Sequence, residues 1–70
     1  MNRSLLLRQI RAAAHARGRT WSLVRQGSAH EIWMCGATRI VIPRHIDIND
    51  LTALRIRQTL QDELGQGWWR

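Results

Sequence analysis

The first segment of the chain places its apolar residues at the spacing of an α-helix. Between residues 3 and 17 they recur every three or four positions, which aligns them on one face, while most of the arginines there fall elsewhere. Asn2 or Ser4 can cap the start of this helix, and Gly18 ends it. His15 falls on the polar side. The stripe that we expect to be buried consists of Leu6, Leu7, Ile10, Ala13 and Ala14.

After Gly18 the helical period gives way to short runs of strand-forming residues. Three such runs are rich in β-branched and aromatic residues, and two glycine-containing turns separate them. Pro43 closes the last run, because proline cannot donate a hydrogen bond to a central ladder. The pattern predicts an antiparallel meander with strands at residues 20–26, 30–35 and 38–43.

The next apolar stripe has helical spacing again. It predicts a helix that begins near Asn49, with Asp47 or Asn49 as its cap, and ends before Gly65. Leu51 and Leu54 point away from the stripe. The residues expected to face the core are Ala53, Ile56, Leu60 and Leu64.

The chain after Gly65 is predicted to be a short tail. We therefore expect one domain at residues 1–65 and a C-terminal tail at residues 66–70, which contains Trp68 and Trp69. An exposed pair of tryptophans is unusual, so we expect the tail to dock either onto the sheet or onto a partner.

The order of elements predicts an α+β fold of helix, three-stranded antiparallel meander and helix. In so short a chain both helices must cover the same sheet face to form one core. This order resembles the double-stranded-RNA-binding-domain fold. Strand alternation groups His30 with Ile32 and Met34, and Trp33 with the opposite face, which leaves open which face is buried.

Composition limits the class of protein. A chain of 70 residues forms one domain with a thin core, and a hydrophobic share of 44% argues against intrinsic disorder. A single cysteine cannot form an internal disulfide, and no apolar run approaches the roughly 20 residues that span a bilayer. Arg8 and Arg11 interrupt any signal-peptide core, so we expect a cytoplasmic protein without membrane association.

The charge of the chain indicates an anionic partner. The net charge is +6, and all 11 basic residues are arginines, whose flat guanidinium groups suit bidentate contact with phosphate. Either a nucleic acid or an acidic protein would fit. The alternative is that arginine usage reflects genomic base composition and that the surplus charge only keeps a small domain soluble.

Few residue groups in the chain are suited to catalysis. A metal site needs three or four converging ligands, and three scattered histidines with one cysteine do not supply them, so we predict neither a metal nor a cofactor. Cys35 lies in an apolar run and is expected to be a small buried hydrophobe. Ser28, His30 and Glu31 make only a weak case for nucleophilic catalysis. The serine would need a base beside it, and the base would need an orienting acid beyond it.

His30 is the candidate general acid or base. An imidazole suits proton transfer near neutral pH, and RNA supplies its own nucleophile in the 2′-hydroxyl group next to each phosphate. The meander is expected to bring Arg25, Arg39 and Arg44 near this histidine. On the residues alone, however, a structural or solvated His30 is the commoner case.

Two short motifs give the chain a family resemblance. Gly27, Ser28 and His30 open the second strand, and the run of residues 42–45, Ile-Pro-Arg-His, follows the third. In this order and spacing they resemble the HicA-type mRNA interferase toxins of bacterial toxin–antitoxin systems, over residues 5–65. Thr52-Ala53-Leu54 departs from the Gly-Thr-Leu that often starts the last helix of that family.

The resemblance implies an endoribonuclease that cleaves mRNA and is neutralised by a HicB-type antitoxin covering its active site. The catalytic residue would be His30. His45, just before the last helix, would either contact phosphate beside Arg44 or only brace the turn. The implied RNA-binding residues are Arg25, Gly27, Ser28, Arg39, Arg44 and His45.

Three functions therefore fit the sequence. The first is a metal-independent toxin ribonuclease. The second is a non-catalytic RNA-binding module of the same fold, and the third is a basic domain that binds an acidic protein. Of the three functions, only the ribonuclease activity requires His30.

Overall fold

The computed structural model describes residues 1–70 and consists of a three-stranded sheet with helices before and after it. The predicted α+β fold of helix, antiparallel meander and helix is confirmed. The elements are α1 (Arg3–Ala16), β1 (Trp21–Gln26), β2 (His30–Cys35), β3 (Thr38–Pro43), α2 (Asp50–Thr59) and α3 (Gln61–Leu64).

Helix α1 begins and ends close to the predicted residues. The Asn2 side chain accepts a hydrogen bond from the backbone N–H of Leu5 and so caps the first turn. Gly18 follows the helix with a φ of 67°, a conformation that glycine adopts without steric cost. Leu6, Ile10 and Ala14 form the buried stripe of the helix.

The sheet has the order β1-β2-β3 and is antiparallel throughout. One face of β2 and β3 turns inward, because the buried residues Glu31 and Cys35 pair with Ile42 and Thr38 on β3. Trp33 shares this inner face, opposite the buried Ile40. The other face, which we call the outer face, carries His30 and the residues that alternate with it.

A single apolar core joins the helices to the inner face of the sheet. Its members are 11 buried residues: Leu6, Ile10 and Ala14 of α1, Cys35, Ile40 and Ile42 of the sheet, Ile48 of the loop before α2, and Ala53, Ile56, Leu60 and Leu64 of the C-terminal segment that contains α2 and α3. The predicted stripe of the last helix is therefore buried in full. Cys35 is fully buried, as expected of a small hydrophobe.

The last helical segment is interrupted, which the spacing of its apolar residues did not predict. Helix α2 is capped by Asn49, whose side chain accepts a hydrogen bond from Leu51, and it ends at Thr59. The Thr59 hydroxyl donates to the carbonyl of Arg55, a bond that bends helices. After Leu60 the short helix α3 continues to Leu64 and ends at Gly65.

An ion pair ties the start of α1 to the beginning of β2. The guanidinium of Arg3 pairs with the buried carboxylate of Glu31, and its Nε donates to the carbonyl oxygen of Pro43 at 2.8 Å. Trp33 Nε1 donates to the same carboxylate at 3.1 Å. These bonds satisfy the only buried acidic side chain, and they anchor the residue next to His30.

The C-terminal tail folds back onto α2. Trp68 Nε1 donates to the carbonyl oxygen of Arg57 at 2.8 Å, and its half-buried ring packs against the core. Trp69 meets Trp68 edge to face, with ring centroids 5.8 Å apart. Trp68 therefore adds apolar contact to the rest of the molecule.

Candidate functional site

His30 lies at the first position of β2, on the outer face of the sheet and opposite Pro43 of β3. Its side chain is exposed and makes no hydrogen bond or ion pair within the chain. It forms one wall of a shallow depression of about 290 Å³, whose other lining residues are Arg25, Gly27, Ile32 and Val41. The imidazole is therefore open to a ligand in this depression.

A β-bulge brings Arg25 to the same face as His30. Leu23 pairs with Trp33 on the inner face, and regular alternation would return Arg25 to that face as well. The register shifts between Leu23 and Arg25, so that Arg25 pairs with Ile32 on the outer face. The bulge thus places a guanidinium beside the imidazole.

The turn before His30 is held closed by backbone contacts. The N–H of Gly27 donates to the carbonyl oxygen of His30 at 2.9 Å. A Cβ atom on Gly27 would lie 3.0 Å from that same oxygen, so a larger residue would force the two backbone segments to shift by a few tenths of an ångström. Glycine here lets the backbone of the turn approach the start of β2 closely.

Arg44 supports this turn from the end of β3. Its Nη1 donates to the carbonyl oxygen of Gly27 at 2.7 Å, and its backbone N–H donates to the carbonyl oxygen of Ala29 at 2.9 Å. One N–H of the guanidinium is therefore used inside the protein. We assign Arg44 the task of fixing the turn beside His30, while the rest of its exposed guanidinium faces solvent.

The remaining predicted site residues lie outside the depression. Arg39 is on the outer face opposite Met34, and four residues along β2 correspond to roughly 13 Å from His30. Ser28 is exposed in the turn, and His45 is exposed in the loop after β3; neither lines the depression. The structure thus places Arg25, Gly27 and His30 around the depression, with Arg44 bonded to the turn beside them.

Glu31 does not orient His30. The two residues are adjacent in β2, so their side chains point to opposite faces, and the Glu31 carboxylate is bound by Arg3 and Trp33. An arrangement of Ser28, His30 and Glu31 for nucleophilic catalysis is therefore absent. Any proton transfer by His30 would take place without a carboxylate partner.

Sequence reasoning missed two residues that line the depression. Ile32 and Val41 are direct cross-strand partners and form its apolar floor. Strand alternation from His30 indicates Ile32, but Val41 requires the register between β2 and β3, which the sequence does not state.

No group of three His, Cys, Asp or Glu side chains lies close enough to hold a metal ion. None of the helices has the length and apolar character needed to cross a bilayer. No protein-family model, curated protein or solved structure matches the chain.

Proposed function

We propose that this protein is the toxin of a type II toxin–antitoxin system, an endoribonuclease that cleaves mRNA without a metal ion and uses His30 as its general acid or base. The observation that carries the proposal is the depression on the outer face, where an exposed imidazole stands beside a guanidinium and a glycine turn. These are the parts that a ribonuclease needs if the RNA provides the nucleophile.

The proposed reaction begins with a phosphodiester seated between His30 and Arg25. The 2′-hydroxyl oxygen forms a bond to phosphorus as the bond from phosphorus to the 5′ oxygen breaks. The neutral imidazole of His30 accepts the proton from the 2′-hydroxyl, and the leaving 5′ oxygen takes a proton from solvent. The guanidinium of Arg25 stabilises the negative charge that develops on the phosphate oxygens.

The resemblance to HicA-type toxins supports a protein partner at the same site. A HicB-type antitoxin that covered His30 would also cover the apolar residues that line the depression, Ile32 and Val41, and Val41 is 52% exposed. Burying them would add apolar contact to charge attraction between an acidic antitoxin and this basic protein.

Replacement of His30 tests the proposal. We expect His30→Ala to abolish growth arrest and RNA cleavage, because a general acid or base contributes about 10² to 10⁴ in rate. His15→Ala is the matched control, since His15 is an exposed histidine on α1 away from the depression. Growth after induction in a bacterium and cleavage of purified mRNA in EDTA are measured for all three proteins, with circular dichroism as the check on folding.

The outcomes separate the three candidate functions. Cleavage at the wild-type rate by folded His30→Ala would falsify the catalytic assignment. RNA binding without cleavage by the wild type would support a non-catalytic RNA-binding module. If the wild type binds neither intact RNA nor its cleavage products, the remaining candidate function is that of a domain that binds an acidic protein.

A further inference from the structure

The largest depression on the surface lies away from His30, between α1 and the free edge of the sheet. Its volume is about 490 Å³. We call it the edge groove, because β1 is an edge strand that pairs only with β2. Its lining combines basic and aromatic side chains, among them Arg8, Arg11, Trp21, Leu23 and Trp33.

Two stacked indole rings form the aromatic part of the edge groove. Trp21 and Trp33 lie on neighbouring strands, with centroids 4.6 Å apart and planes inclined by 10°. Both rings are only partly buried. A two-ring stack at a surface can be extended by a third flat ring, and each nucleobase offers such a ring.

Two arginines form the basic part of the edge groove. Arg8 and Arg11 are three residues apart on α1, so they lie on the same side of the helix. Both are exposed, and neither forms an ion pair or a side-chain hydrogen bond with the rest of the chain. No acidic residue lines the groove, so its charge is available to an external anion.

The edge groove and the His30 depression lie on either side of β1. Trp21 and Leu23 enter the groove from the inner face, and Arg25, two residues beyond Leu23, reaches the depression on the outer face because of the bulge. A chain that crosses the free edge of β1 would contact both sites. Simultaneous contact with both sites requires a flexible, extended polyanion.

We propose that the edge groove binds the stretch of single-stranded RNA next to the phosphodiester that His30 cleaves, with backbone phosphates at Arg8 and Arg11 and one base stacked on the Trp21–Trp33 pair. This inference rests on the proposed function. Guanidinium groups beside partly exposed aromatic rings favour single-stranded RNA over an acidic peptide, because every nucleotide supplies both a phosphate and a flat ring.

Binding of an uncleavable RNA tests the groove separately from catalysis. The probe is a single-stranded 2′-O-methyl oligouridylate, which lacks the 2′-hydroxyl nucleophile. We compare the wild type with the double variant Arg8→Gln/Arg11→Gln and with the matched control Arg55→Gln/Arg70→Gln, which removes two exposed arginines outside both depressions. Loss of two phosphate contacts should make the slope of log affinity against log salt shallower by about 1.4.

An abasic version of the probe tests the stacking. It retains the phosphates, so the wild type should bind it about 5- to 150-fold more weakly than the oligouridylate if one base stacks on the indoles. This difference should disappear in Trp21→Leu, which keeps an apolar residue without a ring face. Trp21→Phe keeps a ring face and should preserve the difference in affinity between the two probes. If Trp21→Leu fails to fold, Trp21→Phe is the variant compared with the wild type.

Three results would overturn the proposal. One is an equal change of slope in the groove variant and in the control, which would indicate general charge attraction. Another is equal affinity for the abasic and base-containing probes. The third is displacement of the RNA from the groove by polyglutamate at equal concentration, which would indicate an acidic protein.

RNA cleavage distinguishes failure of the groove proposal from failure of the proposed ribonuclease function. If the groove variant binds and cleaves like the wild type while His30→Ala does not cleave, the groove assignment is wrong and the ribonuclease stands. If binding depends on the groove but the wild type never cleaves, the groove is correct and the catalytic assignment is wrong.

Discussion

Gly36 holds the turn between β2 and β3 in a conformation that other residues rarely adopt. Its φ is 56°, and a Cβ atom there would lie 2.3 Å from Oε2 of Glu63. That carboxylate accepts a hydrogen bond from the N–H of Ala37 and pairs with Arg19. Gly36 thus leaves room for the side chain that joins the turn to α3.

We predict that Gly36→Ala destabilises the fold more than Gly18→Ala. Gly18 has a similar φ of 67° but nothing within 4 Å of the added atom, so it reports the backbone strain alone, about 1 to 2 kcal/mol. Displacing Glu63 should add roughly 1 kcal/mol for Gly36→Ala. Urea unfolding of both variants measures the difference, and equal losses would show that the Glu63 contact contributes nothing.

Cys35 gives the stability of the protein a dependence on alkaline pH. Burial raises the pKa of its thiol above the ordinary value of 9.0, Glu63 raises it further, and Arg19 lowers it. Well below pH 9.0 the thiol is protonated in both states. Above it the unfolded chain ionises first, so the free energy of unfolding falls until the pH passes the folded-state pKa.

We predict that this loss depends on Cys35 among the side chains, because the chain contains no lysine and no tyrosine that would titrate in the same range. The free energy of unfolding should fall by at most about 1.4 kcal/mol per pH unit above pH 9.0. Urea unfolding at a series of alkaline pH values measures this slope. Cys35→Ala should show a smaller slope than the wild type over the same range, and equal slopes in the two proteins would assign the effect elsewhere.

Among the elements, the C-terminal tail contributes to the fold through one of its two tryptophans. Trp68 packs against the core and donates to a carbonyl oxygen of α2, whereas Trp69 contacts Trp68 and the guanidinium of Arg70. The tail therefore restrains the C-terminal end of α2, next to the break at Leu60.

We predict that Trp68→Ala lowers the free energy of unfolding by about 2 kcal/mol, less than the loss for a fully buried tryptophan because its ring is half-buried. Trp69→Ala is the matched control, with an expected loss below about 1 kcal/mol. Thermal unfolding followed by circular dichroism compares the two. Equal losses would mean that the indole hydrogen bond to Arg57 and the core contact of Trp68 add nothing.

The regular elements could be predicted from the sequence, and the departures from regularity could not. Apolar spacing identified α1, the strands and the buried stripe of the last helix, because each period has one geometric solution. The bulge before Arg25 depends on pairing with β2, and the break at Leu60 coincides with the hydrogen bond from the Thr59 hydroxyl to the Arg55 carbonyl. Neither changes the apolar pattern.

The same limit applies to the candidate site. The sequence identified His30 and predicted Arg25 near it, but the bulge that makes this possible was not predicted, because regular alternation from Leu23 would turn Arg25 to the inner face. Arg44 appeared equivalent to the other arginines until its bond to the Gly27 carbonyl showed a structural task. The edge groove arises from the packing of α1 against β1, two segments that sequence spacing does not connect.

At the scale of the whole molecule, most of the positive charge is not neutralised internally. Of the 11 arginines, only Arg3 and Arg19 form ion pairs with acidic side chains. A long polyanion would therefore be attracted to the whole surface, while specific binding would use a few contacts.

We predict a moderate salt dependence for a short single-stranded RNA. Three contacts, at Arg8, Arg11 and Arg25, should give a slope of log affinity against log salt of about −2, because each phosphate neutralised on a single strand contributes about −0.7. Fluorescence anisotropy of a labelled 2′-O-methyl oligouridylate at several salt concentrations measures the slope. His30→Ala should leave it unchanged, since the substitution removes none of the three arginine contacts. A flat response would exclude a surface that contacts phosphates, and a slope several times steeper would show that the RNA is bound by charges spread over the whole molecule and not by the two depressions flanking β1.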